Sequence, residues 1–284
     1  MTDPDSSTDF EPTRMACIQL AIEGGDVEEN LDRALSAVDA AAERGADLIA
    51  LPELFDVGYF AFDAYPRVAV GLESERLERF ADRAADHGVA LLAGTIVEDL
   101  GASADAGFEV PASEGLSNTA VLFDETGQRQ LVYRKHHLFG YESAESERLV
   151  PGERLTTVEI SGIRIGVTTC YDLRFPELYR QLLEEGVDLV IVPSAWPYPR
   201  VEHWRTLARS RAIENLAYVA AVNGSGTFAG GETLLGRTTV YDPWGTPIAT
   251  TGDSPDVVYA DIDPDRVASI REDFPALADR RSGW

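Results

Sequence analysis

The stretch GVTTCYDLRFPELYR, residues 166–180, decides how this chain is read. A β-branched run leading into it (Ile163, Ile165, Val167, Thr168, Thr169) predicts a buried strand that ends on Cys170. A helix follows that Pro176 can open at its first turn. Cys170 therefore occupies a strand-to-helix corner, where unpaired backbone N–H groups can face a developing negative charge. Two readings fit this stretch alone: an activated nucleophile, or a small buried hydrophobe, since free cysteine is among the most buried residue types.

Upstream, MACIQLAI at 15–22 reads as a first strand, and Val27, Leu31, Leu35, Val38 and Ala42 fall at helical spacing up to Arg44, with Gly45 as a stop. ADLIALPEL at 46–54 is almost wholly apolar until Glu53, the pattern of a strand buried on both faces. Glu53 is then held at a sheet rim, where open α/β sheets bind ligands. A helix over 74–88 and a strand over 89–99 come next, and the Gly-, Ala- and Ser-rich segment 100–117 predicts an exposed loop. NTAVLFDETGQRQLVYRK, 118–135, predicts a hairpin about Asp124–Gly127 that delivers Lys135. Residues 136–153 lose periodicity and form a long loop, of the kind that tends to be functional.

Downstream, VDLVIVPSAWPYP predicts a strand ending at Pro193–Trp196, and a helix runs from Val201 to Asn215. A strand in AYVAAVNGSG, a hairpin about Asp242–Gly245, a last strand in DVVYADIDP and a helix from Pro264 to Phe274 complete the chain. No repeat or linker divides it. The expectation is an α/β fold with a flexible acidic tail over 1–13 and one domain over 14–284.

Forty-nine Asp and Glu against 24 Lys and Arg give a formal charge of −25. That balance argues against nucleic acid or an anionic membrane as partner. It suits a protein kept soluble in high salt, where screening removes self-repulsion, and an acidic mesophilic protein is the rival reading. No run approaches the roughly 20 apolar residues of a membrane span. The polar N-terminus is not a signal peptide. Cys17 and Cys170 show no secreted-scaffold pattern, so both are expected to be free thiols in a reducing cytoplasm.

Glu53, Lys135 and Cys170 each fall at or just past a predicted strand end. A thiol needs a base, a nearby cation lowers its pKa, and a carboxylate can carry protons to a leaving group. Together they make a set for acyl transfer. Histidine is the competing base: His136 and His137 adjoin Lys135, whereas His87 at a helix end and His203 on a helix read as a solvated cap and a packing residue. None has the spacing of a metal motif, so no metal site is assigned.

LPELFDVGY around Glu53, YRKHHLF around Lys135 and TTCYDLRFPELYR around Cys170 resemble the three signatures of the carbon-nitrogen hydrolase family, also called the nitrilase superfamily. SAWPYPRVEHWRTLARSRAIENLAYVAAVN and RTTVYDPWGTPIA resemble its downstream helix, strand and hairpin, so the likeness runs from Met15 to the C-terminus. The resemblance implies a four-layer α-β-β-α sandwich, a homodimer or higher oligomer, no cofactor, and hydrolysis of a small carboxamide through a cysteine thioester. Carried over by position, it makes Cys170 the nucleophile and Glu53 the general base and later acid. Lys135 becomes the cation at the tetrahedral oxyanion, with the backbone N–H of Tyr171 as a second donor. The family's second glutamate precedes a Pro-Gly pair; in ESERLVPG that register implies Glu145, with Glu142 and Glu147 as neighbouring alternatives.

The run from Cys170 to Glu177 and the ending REDFPALADRRS resemble the omega-amidase branch, which implies 2-oxoglutaramate and 2-oxosuccinamate as substrates. Such a substrate needs a cation at its carboxylate end. Arg174 is the candidate because its planar fork suits a carboxylate; the alternative is an ion pair with Asp172 or Glu177. Trp196 is the candidate pocket wall, while Phe55, Tyr59 and Phe60 divide between pocket and core, and Asp172 is expected to cap the following helix. Rival readings are an amidase for deaminated glutathione or a carbamoyl amine, and an idle binding protein on the same fold.

Overall fold

The computed structural model describes residues 12–141 and 143–281; the expected tail lies almost wholly outside that range, as does Glu142. Two six-stranded mixed sheets form the centre. Edge to edge, the first runs Asp256–Ile262, Thr13–Gln19, Leu48–Ala50, Ala90–Asp99, Leu116–Phe123 and Arg129–Arg134. The second runs Pro247–Thr250, Thr239–Tyr241, Tyr218–Asn223, Leu189–Ser194, Ile163–Val167 and Thr157–Ile160.

Strand periodicity makes the layers. Met15 and Cys17 point into a core between the sheets, which they share with Ile165, Val167, Leu189 and Ile191. Their neighbours Ala16 and Ile18 face a second core beneath the helices Val27–Glu43 and Glu75–His87. Val190 and Val192 face a third, beneath Pro176–Glu184 and Val201–Asn215. Strands covered on both faces must be apolar throughout, which is why LVIV at 189–192 shows no alternation. The result is the expected α-β-β-α sandwich.

Three local features differ from the sequence reading. The strand expected over 46–54 pairs only across Leu48–Ala50, so Glu53 lies on the turn beyond it. Within 100–117, Leu100–Asp105 is a short helix whose first turn is capped by Asp99 accepting from Ala102 N at 3.1 Å. Ser225–Thr227 leaves the second sheet to form a separate ribbon with Thr233–Leu235. Of the acids described, Glu53, Asp56, Glu98, Glu145, Asp172 and Asp242 are buried, so the negative charge lies overwhelmingly on the surface. Among the described residues no helix is long and apolar enough to cross a membrane.

Candidate active site

Glu53 reaches the site by a left-handed turn: the next residue, Leu54, has φ +45°. The turn nests against a bulge in the Ala90–Asp99 strand. There Gly94 has φ +47°, and a Cβ on it would stand 2.1 Å from Pro52 O, so only glycine permits the approach. Leu54 N donates to Thr95 Oγ1 at 2.8 Å and locks the turn.

Lys135 follows the edge strand Arg129–Arg134. Its N–H donates to Asn118 O at 2.9 Å, and its own carbonyl accepts from Gly152 N at 2.9 Å. A Cβ at Gly152 would meet Arg134 O at 2.1 Å; the Pro-Gly pair thus lets the loop that carries Glu145 close against the lysine.

Cys170 opens a 3₁₀ turn, Cys170–Arg174, with φ +47°. A left-handed cysteine costs on the order of 1–3 kcal/mol and persists because its surroundings fix it. Asp172 does much of the fixing. Its Oδ2 accepts from Thr169 N at 2.9 Å and Tyr133 OH at 2.6 Å, and its Oδ1 from His137 N at 2.9 Å, with His137 Nδ1 at 2.8 Å. The carboxylate therefore ties the cysteine corner to the Lys135 strand. It does not cap the Pro176–Glu184 helix, whose N-cap Phe175 makes no side-chain cap bond.

These three elements meet in one buried cluster. Lys135 Nζ donates to Glu53 Oε1 at 2.8 Å and to Glu145 Oε1 and Oε2 at 2.7 and 3.0 Å. Asn118 Nδ2 donates to Glu53 Oε1 at 2.8 Å and to Glu145 Oε1 at 3.3 Å. Ala195 N, from the second sheet, donates to Glu53 Oε2 at 2.8 Å. Tyr59 OH and Phe139 N complete Glu145, donating to its Oε2 at 3.1 and 2.7 Å. Glu53, Lys135 and Glu145 are each at most 1 % exposed, so one cation compensates two carboxylates in a dry environment.

Burial and the adjacent Glu53 carboxylate push the Cys170 thiol well above its usual range, so the resting cysteine is neutral. Burial likewise raises Glu53 against the pull of Lys135. Burial opposes the charge on Lys135, but Glu145 and Glu53 outweigh it and hold the ammonium well above the ordinary lysine range. A neutral thiol beside a carboxylate, with a fixed cation alongside, is arranged for proton transfer during attack rather than for a preformed thiolate. Cys17 is different: burial alone in the inter-sheet core pushes it up to about 12.

The cluster opens on a cavity of about 360 Å³ whose lining includes Cys170, Lys135, Tyr171, Arg174 and Trp196. Tyr59 and Phe60 also line it, whereas Phe55 is core, packed edge-on against Phe80 at 5.3 Å. Arg174 pairs with neither Asp172 nor Glu177; its guanidinium lies 5.1 Å from the Trp196 ring centre, with Nη2 3.2 Å from His203 Nδ1. Of the other histidines, His137 stacks on Phe175 at 3.6 Å, His136 on Tyr133 at 5.5 Å, and His87 Nε2 lies 2.9 Å from Asp39 Oδ1. None of the four lines the cavity.

Glu145 is buried while Glu147 is exposed, which separates two glutamates that are alike in sequence. Asn118 was missed. Its signal was a fully buried polar run, Ser117–Thr119, at the head of an apolar strand. A second unused signal is sharper: Lys135 is the single lysine among the chain's 24 basic residues.

The carbon-nitrogen hydrolase family profile matches residues 14–272. The 2-oxoglutaramate amidase of Paenarthrobacter nicotinovorans is 34% identical over 273 residues, covering 94% of this chain and 89% of that protein. The human omega-amidase NIT2 is 33% identical over 276 residues, with 95% of each chain covered. A solved structure of a mutant amidase from Nesterenkonia sp. AN1, showing covalent addition of the acetamide moiety of fluoroacetamide at the active site cysteine, superposes with a TM-score of 0.80. It is 29% identical and covers 96% of this chain and 95% of its own. With its sandwich fold and full-length sequence match, this chain belongs to the carbon-nitrogen hydrolase family and is a hydrolase of carbon–nitrogen bonds.

Proposed function

We propose that the protein hydrolyses small amides bearing a carboxylate at the far end, of the 2-oxoglutaramate and 2-oxosuccinamate class, with Cys170 as nucleophile. The observation that carries the reading is the lysine pinned between two buried glutamates beside a buried thiol, in a cavity lined also by Arg174, which has no acidic partner among the described residues. The similarity to a 2-oxoglutaramate amidase and an omega-amidase supports the same substrate class.

In this reading Glu53 takes the thiol proton as Cys170 Sγ adds to the amide carbon. Once protonated, Glu53 holds Lys135 less strongly, which frees an N–H of the ammonium for the new oxyanion. The Tyr171 backbone N–H serves as second donor. Glu53 then passes its proton to the amide nitrogen, the C–N bond breaks, ammonia departs and a thioester remains. Water, deprotonated by Glu53, adds to the thioester; the C–S bond breaks and the thiol is restored. Glu145 and Asn118 keep Lys135 and Glu53 in register throughout.

Arg174 takes the substrate carboxylate. Arg174→Met is expected to raise KM for 2-oxoglutaramate about 10- to 100-fold, as for the loss of one charge-assisted bond. Unchanged KM removes the assignment. The wider test is ammonia release from a panel of dicarboxylic monoamides, deaminated glutathione and carbamoyl amines, in low and high salt. Turnover confined to the last two classes overturns the proposed substrate, and higher activity in high salt is expected from the acidic surface.

The reading includes a cytoplasmic setting, supported by two free thiols. It also includes self-association, supported by an exposed apolar pair, Trp244 and Phe274, whose rings stand 5.4 Å apart.

A further inference from the structure

Arg200 immediately precedes the Val201–Asn215 helix and lines the same cavity as Cys170 and Arg174. Its guanidinium carbon lies 5.7 Å from the centre of the Phe139 ring, and the Phe139 N–H is itself fixed to Glu145 Oε2. The Arg200 carbonyl accepts the indole N–H of Trp196 at 3.2 Å, and Arg174 sits over that same indole. Each guanidinium is thus held on an aromatic surface that is also anchored to the site, an arrangement that positions a fork with no carboxylate on it among the described residues; Arg174 Nη2 has only His203 Nδ1, at 3.2 Å.

Neither arginine forms an ion pair among the described residues, in a chain with 49 acids to 24 bases. By contrast, Arg76 and Arg134, on the side of the first sheet, are paired with buried acids at 2.7 Å. Among the described residues one acid lines the cavity, Glu232; it is exposed, and the two arginines outnumber it. A 2-oxo acid presents a carboxylate and an adjacent carbonyl, more acceptors than one planar fork can engage.

We infer that Arg200 is a specificity-determining residue which, together with Arg174, forms a two-guanidinium clamp for the 2-oxo-carboxylate end of the substrate. The inference rests on the amidase reading above. It gives each arginine a share of the acidic end and leaves the amide end to the Cys170 cluster.

The test compares 2-oxoglutaramate with pentanamide, a neutral amide of the same carbon count, in the wild type, Arg200→Met and Arg200→Lys. Arg200→Met is expected to cut the kcat/KM preference for 2-oxoglutaramate over pentanamide about 10- to 100-fold, through KM rather than kcat, and Arg200→Lys to restore part of it. A preference that does not move, including the case where both amides lose rate equally, overturns the clamp while leaving the amidase reading intact. A wild-type enzyme that releases ammonia from neither amide overturns both.

Discussion

Lys135→Met is expected to abolish turnover, by about 10³-fold or more, since it removes the charge that meets the oxyanion. It also leaves Glu53 and Glu145 facing each other in the interior, and loss of one partner from a buried ionic cluster costs about 3–5 kcal/mol. The damage has a pH signature. Without the ammonium, burial and the neighbouring Glu145 carboxylate raise Glu53 further above its unfolded value, so the folded variant holds more protons than the unfolded chain. Stability gained that way is present at low pH and is lost as pH rises through the raised value. Melting temperature should therefore fall more steeply for the variant than for the wild type as pH rises above the ordinary glutamate range. Lys135→Arg should fail as well. A planar fork does not replace a compact ammonium whose acceptors stand at 2.7, 2.8 and 3.0 Å, and a chain that uses arginine for every other basic residue keeps lysine here. Near wild-type turnover in either variant contradicts the role given to Lys135.

Glu53→Gln is the second large effect. The amide oxygen can keep the bonds that Lys135 and Asn118 make to Oε1 or the bond that Ala195 N makes to Oε2, but not both, so one donor loses its acceptor; the site is weakened without the fold being lost, and the amide can neither accept the thiol proton nor deliver one to nitrogen. A loss of about 10²–10⁴ in kcat/KM is expected, in a variant that still folds cooperatively at a lowered melting temperature. The wild-type pH profile carries the same signature. Burial lifts Glu53 above the ordinary glutamate range. Because the base must be ionised, kcat/KM should rise with pH along an acid limb that lies above that range, and the limb should disappear in Glu53→Gln. A limb at or below the ordinary glutamate value would contradict the burial argument.

The layer architecture was legible because its signals are local. The helix expected from about Val201 to Asn215 forms there, and the two-sided apolar runs set the central strands. Where a strand stops pairing is not a local property. Leu51 and Pro52 are as buried as Ile49 and Ala50, and they bond the next strand only across the Gly94 bulge, Leu51 N to Leu92 O at 3.1 Å and Thr95 N to Pro52 O at 3.3 Å, which breaks the regular register and turns Glu53 into the site. The same limit applied to the loop acids. Glu142, Glu145 and Glu147 have equal chemistry in sequence, and only the contact of Lys135, Tyr59, Phe139 and Asn118 with Glu145 sets one of them apart. Asp172 was read as a forward cap from its spacing to the next helix. Its carboxylate instead turns back to Thr169 N in the capping box of its own 3₁₀ turn, and Tyr133 and His137, distant in sequence, supply its other donors.

The account stands on Cys170 as the reacting sulfur, and the chain's two cysteines make a direct comparison possible. Cys17 lies in the inter-sheet core with its thiol pushed up to about 12, away from the cavity that Cys170 lines. Peptide mapping during iodoacetamide inactivation measures the choice. The prediction is that lost activity tracks carbamidomethylation of Cys170 one for one, that 2-oxoglutaramate slows both, and that Cys17 stays unmodified. Full activity in enzyme stoichiometrically modified at Cys170 would contradict the account.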